Sequence, residues 1–261
     1  MVLVKQVPDM DEVEFDSDAG RIDRSSAGVE INPFDLNALE AAIKIKEDIG
    51  GTITAISMGP PQAKSALQEA IMRGVDRGIL LSDKAFAGSD TLATSFALYS
   101  AIKQLDEYDF IFSGEKTVDG DTGQVGPEVA EKLGIPHVAY VSEIADYNPD
   151  ELTVVNKLGS NRYTVKLDSP GLITVTKDIN DPRYLSLTKR RRAKNLEVET
   201  WGFEDIQDGA DEDDFGLNGS PTQVHKIVVP SSGTRKGEIF EDDPEEAVSK
   251  LLDRLSEEVE I

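Results

Sequence analysis

The sequence predicts an α/β fold: a parallel sheet between helical layers in a three-layer arrangement, followed by a C-terminal extension. Over the first two thirds of the chain, short β-rich runs alternate with helix-like stretches, the order that builds parallel strands with crossover helices. Glycine clusters mark the junctions between them. From residue 180 the character changes, with a basic run within 180–194 and then an acidic, glycine-containing stretch before a final amphipathic helix. The 261 residues suit one large domain or a domain plus an arm, and the expected division is 1–190 for the α/β domain and 191–261 for the arm.

The elements follow in order. Residues 2–7 form the first strand. Asn32, Pro33, Phe34 and Asp35 open a helix: Asn is a good N-cap, Pro suits the first turn, and Asp35 stands where the acidic half of a capping box falls. Leu36, Leu39 and Ile43 give that helix its apolar stripe, and Gly50 with Gly51 ends it. Residues 52–57 form a second strand closed by Met58, Gly59 and two prolines. Ala63, Leu67, Ala70 and Ile71 recur at helical spacing until Gly74. A third unit begins at Ile79. Ser89, Asp90 and Thr91 cap a helix running towards Leu105, and residues 109–113 deliver the chain into a glycine-rich loop. A helix through Val129 and Leu133 then stops at Gly134. Segments 151–157 and 162–167 read as a hairpin, and 171–176 returns as an apolar strand. Residues 207–220 read as a mobile linker. The helix starting near Pro244 carries Ala247, Val248, Leu251, Leu252 and Leu255 on one face, which must pack on something.

Composition narrows the chemistry. With no cysteine there are no disulfides, thiolate metal sites, iron–sulfur clusters or cysteine nucleophiles. The only two histidines, His137 and His225, are far apart, so a histidine-based metal or acid/base centre is disfavoured and the chemistry falls to a bound cofactor. Hydrophobic residues make up 39% of the chain, and no apolar run approaches the roughly 18 to 20 residues that span a bilayer, so no membrane insertion is expected. No signal peptide is visible, and the expected location is cytoplasmic. Fifty acidic against 27 basic residues give a net charge of −23, which repels nucleic acid and anionic membranes.

The loop at residues 119–127 is the most informative stretch. It follows a strand and precedes a helix, where open α/β sheets place ligands. Gly120, Gly123 and Gly126 let backbone amides approach a phosphate, and Thr122 and Gln124 add uncharged hydrogen-bonding groups. Asp119 and Asp121 would repel a phosphate beside them; they hold the loop, or accept from ribose hydroxyls and an adenine amine. An ordinary glycine-rich turn is the plain alternative, since neither the Walker pattern nor the dinucleotide GxGxxG pattern is present.

Several segments, collinear over nearly the whole chain, resemble the electron transfer flavoprotein beta subunit. They are Val4-Lys5-Gln6-Val7-Pro8-Asp9, Asn32-Pro33-Phe34-Asp35, Ser57-Met58-Gly59-Pro60, Ser89-Asp90-Thr91-Leu92-Ala93-Thr94-Ser95, Val118-Asp119-Gly120-Asp121-Thr122-Gly123-Gln124-Val125-Gly126-Pro127, Asn180-Asp181-Pro182-Arg183-Tyr184 and Asp243-Pro244-Glu245-Glu246-Ala247. The resemblance implies an adenine nucleotide alpha-hydrolase-like fold and a heterodimer with an alpha subunit that holds the electron-transferring FAD. It also implies that this chain binds FAD or, alternatively, structural AMP. The family's nucleotide contacts fall on Leu3, Asn32, Pro33, Phe34, Asp35, Met58 and residues 119–130, including Val125. The Asp-Gly-Asp-Thr-Gly-Gln-Val-Gly loop is similar to the FAD-binding, electron-bifurcating type, in which NADH supplies the electrons. Asp90, Thr91 and Thr94, at a helix start, suit a flavin pyrophosphate.

The basic run Lys189-Arg190-Arg191-Arg192 has no interleaved aromatics and no nucleic-acid signature. The segment is similar to the family's recognition loop, in which Leu187 anchors in a dehydrogenase pocket while Arg183, Tyr184, Lys189 and Arg190 help docking. Two rival classes fit less well. A stress-protein-type nucleotide module is shorter and needs no apolar terminal helix. An ATP-pyrophosphatase expects a Ser-Gly-Gly-type loop after the first strand, where this chain has Pro8-Asp9-Met10-Asp11.

The excess of carboxylates repels itself, and salt screens that repulsion over distances of several ångströms. The melting temperature should therefore rise from low to molar potassium chloride, and a fall on adding salt would show that the charge is not a net liability.

Overall fold

In the computed structural model the described residues are 1–9, 14–16, 21–23, 28–185, 197–223, 237, 239–240 and 243–258. In chain order the elements are β1 (Val2–Leu3), β2 (Gln6–Pro8), β3 (Glu14–Asp16), β4 (Arg21–Asp23), β5 (Val29–Ile31), α1 (Pro33–Ile49), β6 (Thr54–Met58), α2 (Lys64–Arg73), β7 (Arg77–Leu81), α3 (Thr91–Lys103), β8 (Phe110–Gly114), α4 (Val125–Leu133), β9 (His137–Tyr147), β10 (Glu151–Leu158), β11 (Asn161–Asp168), β12 (Gly171–Val175), β13 (Glu199–Trp201), α5 (Phe203–Ile206) and α6 (Pro244–Glu258).

The sheet has nine strands in the order β11-β10-β9-β12-β8-β1-β6-β7-β13. From β9 to β13 all neighbours are parallel, while β10 and β11 extend the β9 edge as an antiparallel hairpin. From β1 the chain steps outward through β6 and β7, then returns to place β8 on the other side of β1. The strand order thus reverses between β1 and β8, the topological switch point where open sheets leave a crevice at their carboxyl ends.

Both faces of the parallel strands are covered, which explains their near-continuous apolar sequences. Side chains alternate between the faces. Val2, Val4 and Ala55 join a core with Leu39 and Ile43 of α1 and Leu67 of α2. Leu3 and Ile56 join the opposite core with Ala97 and Ile102 of α3 and Val129 of α4. The result is the three-layer α/β arrangement expected from the sequence. The helix stops are also where expected: Gly50, Gly74 and Gly134 follow α1, α2 and α4 with positive φ, the conformation that glycine adopts without a Cβ penalty.

Two local expectations need correction. The first predicted strand is two: after Leu3 the chain leaves the main sheet, and Gln6–Pro8 pairs antiparallel with Val29–Ile31. More important, residues 207–220 are not a linker. β13 pairs with β7 at the far edge, α5 follows, and Phe215 is 1% exposed among Phe86, Phe96 and Phe203, with ring centroids 5.5, 5.1 and 5.5 Å away. Two apolar anchors, Ile206 and Phe215, secure a segment whose acidic composition suggests solvent exposure. One compact unit runs from Met1 to His225.

Lys226–Ile261 forms a second unit. Its helix α6 exposes Val248, Leu251, Leu252 and Leu255. Among the described residues no helix is long and apolar enough to cross a membrane.

Phe215 fixes the order of the whole 203–220 segment. Phe215→Ala should cost about 3 to 5 kcal/mol, the usual range for a buried aromatic, measured by denaturant unfolding. A cost below about 1 kcal/mol would return that stretch to the linker reading.

Candidate functional site

The carboxyl ends of the parallel strands bring most of the sequence-predicted site residues to one edge. Leu3 ends β1, buried in the core on the α3/α4 face, and Met58 ends β6, half-buried against that core. Asn32 caps α1; Pro33, Phe34 and Asp35 form its first turn. Asp90 caps α3, with Thr91 and Thr94 in its first turn. Asp119, Gly120, Asp121, Thr122, Gly123 and Gln124 lie in the loop from β8 to α4, and Val125 and Gly126 open α4.

The expected capping box at α1 does not form, because its side chains are used across the switch point instead. Asn32 makes no side-chain cap. Its amide nitrogen donates to the Lys116 carbonyl at 2.9 Å, and its side-chain oxygen accepts from the Val118 amide at 3.1 Å. Asp35 accepts from the Lys5 amide at 2.8 Å with one oxygen and from the Gly114 amide at 3.1 Å with the other. One buried carboxylate thus ties the end of β1 to the end of β8. Burial pushes its pKa up to about 7, against the lowering effect of the Lys5 and Gly114 amides and the Asn32 side chain.

The loop is pinned from both ends. Burial acts to raise the Asp119 carboxyl, but Lys5 donates to both its oxygens at 2.8 Å and holds it below the usual range. Lys116 pairs with Asp121 at 2.6 Å, and the Asp121 amide donates to the Thr117 carbonyl at 2.8 Å. Asp121 itself takes φ +55° and Gly123 φ +67°, so the turn includes two left-handed residues. Both aspartates are therefore occupied in shaping the loop.

What remains free is backbone. Among the described residues, the amides of Thr122, Gly123 and Gln124 donate to no protein acceptor, and those of Val125 and Gly126 belong to the first turn of a helix, where amides have no intrahelical partner. Gly126 is confined: a Cβ there would lie 2.6 Å from the Thr174 methyl. The start of α3 meets the start of α4, since the Thr91 hydroxyl lies 3.3 Å from side-chain oxygens of both Gln124 and Glu128. The other Glu128 oxygen is buried with no hydrogen-bond partner. Asp90, by contrast, is fully engaged: one oxygen accepts from the Ala93 amide and the other from the Thr222 amide and hydroxyl.

Arg183 lies away from this edge. Its guanidinium is forked between Glu40 and Glu47 of α1, with contacts from 2.5 to 3.2 Å, and its carbonyl accepts from Arg73 at 2.6 Å. Tyr184 beside it is fully exposed. Leu187, Lys189 and Arg190 lie outside the described residues. The sequence reading did not single out Lys5, Gly114, Thr174 or Tyr140. Lys5 lay within a recognised segment, but its pairing with Asp119 spans 114 residues and leaves no local signal.

The three-layer sheet with a glycine-built loop at its switch point defines an open-sheet α/β protein of the kind that holds ligands at the strand ends. A profile of the electron transfer flavoprotein domain matches residues 19–206. The chain is 43% identical over 258 residues to the electron transfer flavoprotein subunit beta of Clostridium acetobutylicum, covering 99% of this chain and 98% of that one. It is 44% identical over 257 residues to the corresponding subunit of Thermoanaerobacterium thermosaccharolyticum, covering 98% and 97%. With the caffeyl-CoA reductase-Etf complex subunit CarD of Acetobacterium woodii it shares 38% identity over 259 residues, again covering 98% and 97%. The chain belongs to the beta-subunit family of electron transfer flavoproteins.

Asp35 sets a pH dependence with a defined sign. Between the ordinary value of 3.8 and the folded value of about 7, the folded state keeps a proton that the unfolded chain has released. Its contribution to stability is complete below pH 4 and is lost as pH rises through 7. The stability difference between wild type and Asp35→Asn should therefore fall from pH 4 to 7 and level off above. Denaturant titrations across that range measure it, and a difference that grows with pH would mean Asp35 is held ionised.

Proposed function

We propose that this chain is the beta subunit of a heterodimeric electron transfer flavoprotein and holds FAD at the β1/β8 switch point, with the phosphates on the loop at residues 122–126. The free amides of that loop carry the reading. They point to an anion, whereas Asp35, Asp90, Asp119 and Asp121 are already bonded to protein. Gly123 takes the left-handed turn that presents the loop amides, Gly126 lets the first turn of α4 pack against Thr174, and the starts of α3 and α4 add two helix N-termini at one place. The unpartnered Glu128 oxygen is a buried acceptor suited to a hydroxyl or amine donor of the ligand.

FAD supplies the redox chemistry when bound, and the protein supplies position and electrostatics. The amides orient the pyrophosphate. Lys5 and Asp119 keep the loop open to it, and the Asn32 and Asp35 bonds hold both strand ends at fixed spacing. The form of the loop favours FAD over AMP and, by resemblance, an electron-bifurcating member that takes electrons from NADH. Partnership with a larger subunit is supported by the subunit naming of the relatives and by the exposed apolar side chains of α6, which offer a face for it to cover. Residues 180–194 would meet a dehydrogenase, with Arg183 anchoring the segment to α1 and Tyr184 presented outward. The protein is assigned to the cytoplasm.

Heat release of nucleotides from the complex purified with its larger subunit, followed by mass identification, tests the reading. Two FAD per heterodimer are expected. One FAD and one AMP would exclude bifurcation through this subunit, and the absence of any adenine nucleotide from this chain would remove the site.

A further inference from the structure

Tyr140 lies inside β9 with φ +58°, a left-handed backbone that bulky side chains rarely adopt. The strand bulges there. Val138 pairs with Ile173 and Val141 with Val175, so Ala139 and Tyr140 together oppose Thr174. A bulge of this kind re-aims a side chain. The displaced Tyr140 amide donates to the Thr174 hydroxyl at 3.2 Å. Thr174 is 2% exposed, and its methyl group fills the space beside Gly126. A single buried threonine therefore braces both the bulge and the first turn of α4.

The re-aimed ring contributes little to the core, for Tyr140 remains 42% exposed. Its hydroxyl instead stands on the side of the left-handed Gly123 where a Cβ would project. A Cβ on that glycine would lie 3.9 Å from the phenol oxygen and 3.3 Å from the Glu115 carbonyl oxygen, so the turn is flanked on two sides. Backbone strain of this kind persists only where the surroundings over-determine it, and it concentrates at functional sites.

We propose that Tyr140 is a positioning residue of the nucleotide site, its bulged backbone and phenol fixing the turn at Gly123 so that the amides of residues 122–125 stay aimed at a phosphate. This rests on the nucleotide reading of that loop. A purely architectural role and a positioning role make opposite forecasts for glycine at this position. Glycine accepts positive φ freely and removes only an exposed ring, so stability should hold or rise. Ligand binding should nonetheless weaken.

The test titrates the full-length chain with FAD and with AMP, as wild type, Tyr140→Gly, Tyr140→Phe and Thr174→Val, with melting temperatures alongside. Tyr140→Gly is expected to melt at or above the wild type while binding the preferred nucleotide about tenfold more weakly, with Tyr140→Phe in between. Thr174→Val keeps a methyl beside Gly126 and removes the acceptor of the Tyr140 amide, so it should weaken binding in the same direction. Equal affinity in wild type and Tyr140→Gly overturns the positioning role. If Tyr140→Gly melts well below the wild type, unchanged affinity in Thr174→Val overturns it instead. A wild type that binds neither nucleotide overturns the nucleotide reading itself, and this inference with it.

Discussion

The Asp35 carboxylate, bonded at once to the amides of Lys5 and Gly114, is the constraint on which the site depends. β1 and β8 are adjacent in the sheet but diverge beyond their last paired residues, because the chain leaves them in opposite directions at the switch point. Two main-chain donors would otherwise face a buried crevice unpaired, at a cost of about 1 to 3 kcal/mol each. A helix beginning directly behind the crevice supplies the acceptor, and Asn32 does the same for the Lys116 and Val118 backbone one step further out. The first turn of α1 thereby sets the width of the opening and the start of the loop that follows β8.

From this follows a division of labour among the charged groups. Asp35, Asp90 and Asp119 all lie at the carboxyl ends of the parallel strands, yet each is committed to protein donors. A net charge of −23 therefore need not oppose phosphate binding locally, since paired carboxylates leave the backbone amides to dominate the near field. Arg183 follows the same economy in the opposite sense. Its bonds to Glu40 and Glu47 use its charge to fix the 180–184 segment on α1, so steering a partner would fall to other residues.

Much of the fold was legible in the sequence because it is written in local patterns. The apolar runs at β6, β7, β8 and β12, the Asp90 cap and the glycines after α1, α2 and α4 each report their own neighbourhood. The glycine-rich loop was legible for the same reason, and collinear motifs extended it to a family. What local pattern missed is long-range. The sequence suggested a capping box for Asp35, whose partners lie 30 and 79 residues away. Acidic composition hid β13 and the Phe215 anchor, because two buried side chains suffice to order a segment that otherwise looks solvated. Tyr140 reads as an ordinary strand residue until the pairing of β9 with β12 reveals the bulge.

Hydrogen exchange of the chain with and without FAD addresses the central claim most directly, because it reports on main-chain amides rather than on activity. Slowed exchange concentrated at residues 122–126, with smaller changes at the starts of α1 and α3, is the expected result. Bound FAD that leaves those amides exchanging as before, and protects instead the cleft between Tyr99 and Asp208 on the far side of α3, would contradict it.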